Sequence, residues 1–263
     1  MTNEVDRKMT KLSKKSKIRT RLLAGEDLVG VFVKTPAYQV VEVLGSTDLD
    51  FIILDQEHSP FDLNAIDSCL MAGKMADMPT LVRIQQNTAT GMLYPLDCGA
   101  SGVIVPHVAT VEKATEIAAG GRYRGGRRGF AGTQRAGGYG TREMNEYIDQ
   151  ADSETIVIAQ IEDVEAVENI EDIVKVDNID CFFLGRMDLT VGYGATAQTD
   201  KVVVEAVEHV CKVVRTAGKR LAAYSSPAEK QMLSDLGVTM FTMGSEHSLL
   251  LSGANKVAAD FSK

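Results

Sequence analysis

Short apolar runs recur along the chain, each followed by a polar or Gly/Pro break and then by a stretch of helical period. The runs are Leu28–Val33, Phe51–Leu54, Thr80–Ile84, Gly102–Val105, Ile156–Ile161, Cys181–Leu184, Leu221–Tyr224 and Val238–Met243. They are continuous rather than alternating, which predicts strands covered on both faces, as in a parallel sheet. Between the last runs, Val203, Val207, Val210 and Val214 fall at i, i+4, i+7 and i+11, with Glu205, Glu208, Lys212 and Arg215 on other faces. Valine favours strands, but this period is that of an amphipathic helix, and the period decides. Thr35-Pro36 and Ser226-Pro227 each place a capping hydroxyl before a proline suited to a first helical turn. Asp62 is a candidate cap for a helix through Leu63, Ile66 and Leu70. Strands alternating with helices imply parallel pairing, and eight such units predict a single-domain (β/α)8 barrel. A doubly wound open sheet is the alternative, but no G-x-G-x-x-G follows the first strand.

A chain of 263 residues, 44% of them hydrophobic, suits one barrel of about 250 residues. No apolar stretch approaches the roughly 18 residues that would span a bilayer, and the N-terminus lacks the apolar core of a secretory signal. Cys69, Cys98, Cys181 and Cys211 are widely separated with no C-x-x-C pair, which reads as reduced packing thiols in a cytoplasmic protein. Net charge changes the picture at one place. Residues 1 to 21 carry eight Lys/Arg against two acidic residues, although the whole chain is at −8. This arm has no interleaved aromatics, and the acidic body would repel a phosphate backbone, so nucleic acid is excluded as a partner. Residues 1–21 are read as a basic tail or fraying helix, and residues 22–263 as the catalytic barrel.

In such a barrel the chemistry sits at the carboxyl ends of the strands. The second run ends in Asp55-Gln-Glu57-His58-Ser-Pro, the third at Arg83 and the fourth at Pro106-His107. The fifth carries Gln160 and Glu162, and the sixth runs through Gly185-Arg186-Met187 to Asp188. That set supplies a base, a fixed cation and hard oxygen ligands suited to Mg²⁺, Mn²⁺ or a similar divalent ion. Each residue alone has a plainer role, since His58 can bond locally, Glu162 can cap a helix and Asp188 can sit in a turn. Their convergence from separate strands argues for a site. The segment Gly120 to Asp149 interrupts the repeat after the fourth strand. It holds nine of the 23 glycines together with Arg122, Arg124, Arg127, Arg128, Arg135 and Arg142. Such a loop suits an anion, and equally a lid or a subunit contact.

From about Leu28 to the C-terminus the chain resembles the metal-dependent, class II pyruvate aldolases of the HpcH/HpaI type. The resemblance rests on Asp55-Gln-Glu-His58-Ser-Pro, Val82-Arg83, Leu96-Asp97-Cys-Gly99-Ala-Ser-Gly102-Val-Ile-Val-Pro106, Arg128-Gly129, Arg135-Ala136, Gln160-Ile-Glu162 and Leu184-Gly185-Arg-Met-Asp188-Leu. It implies a (β/α)8 barrel, assembled as a hexamer from dimers that exchange the last helix. It implies a divalent metal (Mg²⁺, Mn²⁺ or Co²⁺) on Glu162 and Asp188, with Gln160 lining the same pocket. Arg83 would stabilise the enolate of pyruvate, and His58, held by Asp97, would be the base. The backbone from Gly185 through Met187 to Asp188 would receive the substrate carboxylate, and an aldehyde would be the second substrate. The chain departs from the family where Arg186 and Met187 replace a Pro and a small residue. It departs again at Tyr123-Arg124-Gly125, at Gly244-Ser245-Glu246 and at Phe32. Two rival functions remain. One is a citrate-forming condensation of oxaloacetate with acetyl-CoA, the arginine loop holding CoA phosphates. The other is a non-catalytic binding protein, which would not need His58, Arg83, Glu162 and Asp188 together.

Overall fold

The computed structural model describes residues 14–262, and in it every predicted run is a strand. The strands are β1 (Leu28–Val33), β2 (Phe51–Asp55), β3 (Thr80–Arg83), β4 (Gly102–Val105), β5 (Ile156–Ile161), β6 (Cys181–Leu184), β7 (Arg220–Tyr224) and β8 (Val238–Ser245). They pair in parallel in sequence order, and β8 closes on β1. Helices between the strands cover the outside, so the fold is a single (β/α)8 barrel.

Side-chain parity divides the core into two layers. Ile52, Leu54, Val82, Val103, Val105, Val157, Ala159 and Leu184 pack outward against the helices, where Val203, Val207, Val210 and Val214 of the helix Lys201–Thr216 meet the same layer. Leu28, Phe32, Phe51, Ile53, Leu81, Ile104, Ile156, Ile158, Cys181, Phe183, Ala222 and Met240 fill the barrel interior. The parity continues upward, so Asp55 follows Phe51 and Ile53, Arg83 follows Leu81, and Gln160 follows Ile158. Glycine makes room for this filling at Gly30, where a Cβ would meet the Phe51 ring at 2.5 Å.

The expectation of a tail or fraying segment over residues 1–21 is corrected from Lys14 onward; residues 1–13 lie outside the described residues. The helix Lys14–Ala24 closes the bottom of the barrel, with Ile18 and Leu22 fully buried in the interior cluster. Its arginines anchor it to segments that precede the strands. Arg19 Nη2 lies 2.7 Å from Asp180 Oδ1, and Arg21 Nη1 lies 2.7 Å from Asp50 Oδ1.

Two of the three expected helix caps are also corrected. Asp62 does cap the helix Leu63–Met75, accepting from Ala65 N at 2.7 Å. Thr35 does not cap, because its hydroxyl is 2.9 Å from His247 Nε2 of the C-terminal helix, and the following helix, Tyr38–Gly45, starts after Ala37. Ser226 instead donates to Glu229 Oε2 at 2.7 Å, and that helix begins only at Lys230.

Candidate active site

A buried carboxylate organises the top of β2 and β3. Asp55, with no exposed surface, accepts a two-pronged bond from Arg83: Nε to Oδ1 at 3.0 Å and Nη2 to Oδ2 at 2.9 Å. The same carboxylate accepts from the His58 amide at 3.2 Å, which fixes the turn that carries His58. Burial pushes the Asp55 carboxyl up, but the Arg83 hydrogen bonds and charge, the His58 N–H and Lys34 outweigh it and hold it below the usual range. Arg83 also lies 4.7 Å above the Phe32 ring, and its Nη1 is 3.2 Å from Glu57 Oε2. That last contact is ionic only, because Glu57 Oε2 has no hydrogen-bond partner. The guanidinium is thus locked from three sides, the preorganisation that a charge-stabilising group requires.

A second group gathers at the ends of β4, β5 and β6. Glu162 is 3% exposed; its Oε1 accepts from the His107 amide at 2.9 Å, and its Oε2 accepts from Gln160 Nε2. Gly185 packs against it so tightly that a Cβ there would lie 2.3 Å from the Glu162 Cβ. Burial pushes the Glu162 carboxyl up to about 7; the negative charges of Glu57 and Asp188 add to this, while His107 opposes it. Burial lowers the affinity of His107 for a proton, but Glu162, Asp163 and Glu57 outweigh this and raise it above the ordinary imidazole value. Ligand atoms of Glu57, His107 and Glu162 all lie within 4.8 Å of one another. Gln160 Oε1 is buried without a partner. Crowded carboxylates whose mutual repulsion raises a pKa, beside an orphaned carbonyl oxygen, fit a hard divalent cation.

A cavity of about 410 Å³ opens beside these groups, lined by Lys34, His58, Arg83, Gln160, Asp188 and Tyr224 among others. Its shape and charge suit a small anionic ligand between a fixed guanidinium and an oxygen-rich cation site.

The same conclusion about kinship comes from comparison with known proteins. Residues 28–252 match the profile of the HpcH/HpaI aldolase/citrate lyase family. The chain belongs to that family. It is 29% identical over 253 residues to the 5-keto-4-deoxy-D-glucarate aldolase of Enterobacter sp. (strain 638), covering 94% of this chain and 97% of the relative. It is 30% identical over 251 residues to the hydroxypyruvate/pyruvate aldolase of Rhizorhabdus wittichii, covering 93% and 98%. Among solved structures, an HpcH/HpaI family protein of Burkholderia cenocepacia J2315 superposes with a TM-score of 0.88 at 25% identity over 94% of this chain and 100% of that one. The citrate synthase SbnG superposes with a TM-score of 0.80 at 28% identity over 93% and 97%.

Against the expectations from sequence, His58, Arg83, Gln160, Gly185, Met187 and Asp188 all line the one cavity, and Glu162 adjoins it through Gln160. Asp97 does not join them. It ends the helix Ala89–Asp97, which runs from the top of β3 to the bottom of β4, so its carboxylate lies at the opposite pole from His58. There Asp97 Oδ1 accepts from Arg128 Nη2 at 3.2 Å, and within this chain it does not orient His58. The acidic neighbour of His58 is Glu57, 3.7 Å from its Nε2. In the long loop, Arg122, Arg124, Arg128 and Arg135 are paired with Asp180, Asp149, Asp97 and Asp67, so these four serve to fold the loop. Arg186 is held by Glu229 at 2.9 Å and the Tyr224 carbonyl at 3.0 Å, tying the ends of β6 and β7 together. Sequence reasoning missed the roles of Asp55, Glu57 and His107. The parity of β2 is the signal for Asp55, since it shares the inward face of Phe51 and Ile53.

Proposed function

We propose that the protein is a divalent-metal-dependent aldolase that cleaves or forms a 4-hydroxy-2-oxo acid through the enolate of pyruvate. The observation that carries this reading is the pairing of a locked cation, Arg83 on Asp55, in one small cavity with Gln160, behind which lies the raised, buried carboxylate of Glu162. Glu162 and Asp188 would hold the metal on the cavity side, with Gln160 beside them and Glu57 and His107 behind. The ion, Mg²⁺, Mn²⁺ or Co²⁺, would supply Lewis-acid polarisation of the 2-oxo acid. Arg83 stabilises negative charge as it develops on the keto oxygen, and its rigidity means that no reorganisation is needed at that moment. His58, on a turn fixed by Asp55, moves the proton to and from the substrate, a task suited to an imidazole near neutrality. The N–H groups at the start of the helix Arg186–Gly192, with Gly185 and Met187, face the substrate carboxylate.

Relatives named as aldolases favour this reaction over citrate formation, to which the likeness to SbnG points. The four loop arginines committed to carboxylates in this chain further weaken a CoA-phosphate role. Four buried, unpaired cysteines support a reducing, cytoplasmic setting, and no helix among the described residues is long and apolar enough to cross a membrane. The C-terminal helix Glu246–Phe261 exposes Leu250, Leu251, Val257 and Phe261, which supports assembly through that helix into a hexamer built from dimers. Replacing Leu250 and Leu251 by Glu should then lower the mass measured by light scattering; an unchanged mass would remove this helix from the interface.

The function is tested by pyruvate α-proton exchange. Chelation by EDTA should abolish exchange, and Mg²⁺, Mn²⁺ or Co²⁺ should restore it. Glu162→Ala and Asp188→Ala should each lose metal affinity while remaining folded. Full exchange in stringently chelated protein would exclude the metal-dependent reading and direct attention to a lysine Schiff base.

A further inference from the structure

Glu162 stands between two different neighbours. Strands β4 and β6 flank β5 in the closed ring, so His107 of the β4 end lies on one side of this carboxylate and Asp188 of the β6 end on the other. Its two oxygens divide accordingly. Oε1 accepts from the His107 amide at 2.9 Å and lies 3.5 Å from His107 Nδ1. Oε2 accepts from Gln160, and a Cβ at Gly185 would lie 2.9 Å from it. The aldolase metal belongs to the Asp188 side. The His107 side has a ligand set of its own, because ligand atoms of Glu57, His107 and Glu162 lie within 4.8 Å of one another. None of these three residues lines the 410 Å³ cavity, and the His107 side chain is half exposed, so solvent reaches this position separately.

The imidazole is held as metal-bound histidines commonly are. Its Nδ1 is 3.1 and 3.2 Å from the two oxygens of Asp163. An Nδ1–H donated to that carboxylate leaves the lone pair on Nε2. Nε2 faces Glu57 Oε1 at 3.7 Å, too far for a hydrogen bond. Two atoms that share an ion about 2.0–2.2 Å from each stand roughly 3–4 Å apart. Two buried acceptors beside the set are unsatisfied: Glu57 Oε2, and Oε1 of Gln160, which is 1% exposed and bonded to Glu162 through its Nε2. Glu57, Glu162 and Asp163 surround the one imidazole, with Arg83 opposite only Glu57 Oε2, so the position has an excess of negative charge that a divalent ion offsets. One nitrogen with two carboxylates suits Co²⁺ or Zn²⁺, whereas Mg²⁺ favours oxygens alone and keeps its waters.

We propose that Glu57, His107 and Glu162 form a second cation site, sharing Glu162 with the first, that takes a transition ion such as Co²⁺ or Zn²⁺ in preference to Mg²⁺. This goes beyond the aldolase reading and rests on it only for the first ion. Equilibrium dialysis with metal analysis counts the ions per chain. The wild type should bind two Co²⁺ but one Mg²⁺, and His107→Gly should bind one of either. Glycine adopts the left-handed backbone of His107 (φ 53°) without strain, so this variant removes only the ring. The second Co²⁺ should also change the visible absorption spectrum, and His107→Gly should lack that change. Asp163→Asn leaves all three ligands in place and should weaken the second Co²⁺ alone, by about 10- to 10²-fold. One Co²⁺ per chain, lost in Asp188→Ala and kept in His107→Gly, overturns the proposal and leaves the aldolase reading intact. Two Co²⁺ that persist in His107→Gly overturn it as well, by placing the second ion elsewhere. Two Co²⁺, one of them lost in His107→Gly, uphold the site even if no metal supports pyruvate exchange, in which case the reaction assignment alone falls.

Discussion

The two ends of the barrel are built on the same eight strands and the same inward parity, yet they carry opposite chemistry. At the lower end the inward positions are Leu28, Phe51, Ile156, Cys181 and Met240, sealed by Ile18 and Leu22. Charged pairs such as Arg19–Asp180 and Arg21–Asp50 stay at the rim, where they position the sealing helix. Four residues beyond Phe51 and Ile156, and two beyond Leu81, the same faces present Asp55, Gln160 and Arg83, all buried. Burying like-charged carboxylates near one another opposes folding, whereas burying leucine favours it. One pole therefore supplies stability that the other uses to hold groups water would otherwise screen. Substitutions at the two poles should fail in different ways.

The largest effects belong to the upper pole, and they should separate its two working groups. Arg83→Ala should suppress aldol cleavage, deuterium exchange into pyruvate and oxaloacetate decarboxylation together, because all three pass through the enolate. A lost preorganised donor costs about 10²–10³ in rate. It also leaves Asp55 buried without its partner, so Arg83→Lys is the companion variant: it keeps a charge but cannot form the fork. His58→Ala should slow cleavage and exchange by about 10²–10⁴, as for a general base. It should spare decarboxylation, since loss of CO₂ creates the enolate without removing a proton. Equal loss of decarboxylation in both variants would move His58 from proton transfer to binding or metal support.

How much of each pole can be read from sequence differs for physical reasons. The strands are legible because each is an unbroken apolar run with a polar stop, and the strand-end residues are the polar ones at and just beyond each stop. The helix at the lower pole is obscured because its signal is only Ile18 and Leu22, spaced i, i+4, inside a strongly basic segment. Charge density argues for a solvated arm, and only the tertiary setting of an open barrel end reverses that. At the upper pole the identities of Arg83, Glu162 and Asp188 are visible, but their partners are not. Which carboxylate grips Arg83 depends on β2 and β3 lying side by side with Asp55 opposite Arg83, a register the sequence does not spell out. Asp97 illustrates the converse. It lies close behind Arg83 in sequence, but an intervening helix carries it to the other end of the barrel.

The lower pole should show its character in stability rather than in rate. Ile18→Ala removes a fully buried side chain from the plug and should cost about 2–5 kcal/mol, read as a lower urea midpoint. The fraction that remains folded should keep its kcat, because no group of the upper pole touches Ile18. A loss of kcat at full occupancy of the folded state would mean that the poles are coupled.

The smallest effect, and the sharpest contrast, concerns pH in chelated protein. Folded Glu162 keeps its proton up to about pH 7, whereas in the unfolded chain it gives it up near the ordinary 4.5. His107 shifts in the same direction. Between those values the folded state holds more protons than the unfolded one, so stability falls as pH rises. The contribution is fully present below the ordinary carboxylate value and is lost as pH climbs through about 7. Groups shifted downward do not interfere, since Asp55 lies below its ordinary value and Glu229 at about 2, and their contributions are complete before this window opens. With about 1–3 kcal/mol at stake, and about 2–4 °C per kcal/mol for a chain of this size, the melting temperature should drop by several degrees between pH 5 and 8. Glu162→Gln should flatten the slope. Ile18→Ala should lower the whole curve without changing its slope, because it leaves Glu162 and His107 as they are. Added Mg²⁺ should reverse the trend, since it competes with the proton for the same carboxylate. A slope retained in full in Glu162→Gln would assign it to other groups, His107 first among them, and overturn the upward shift of Glu162.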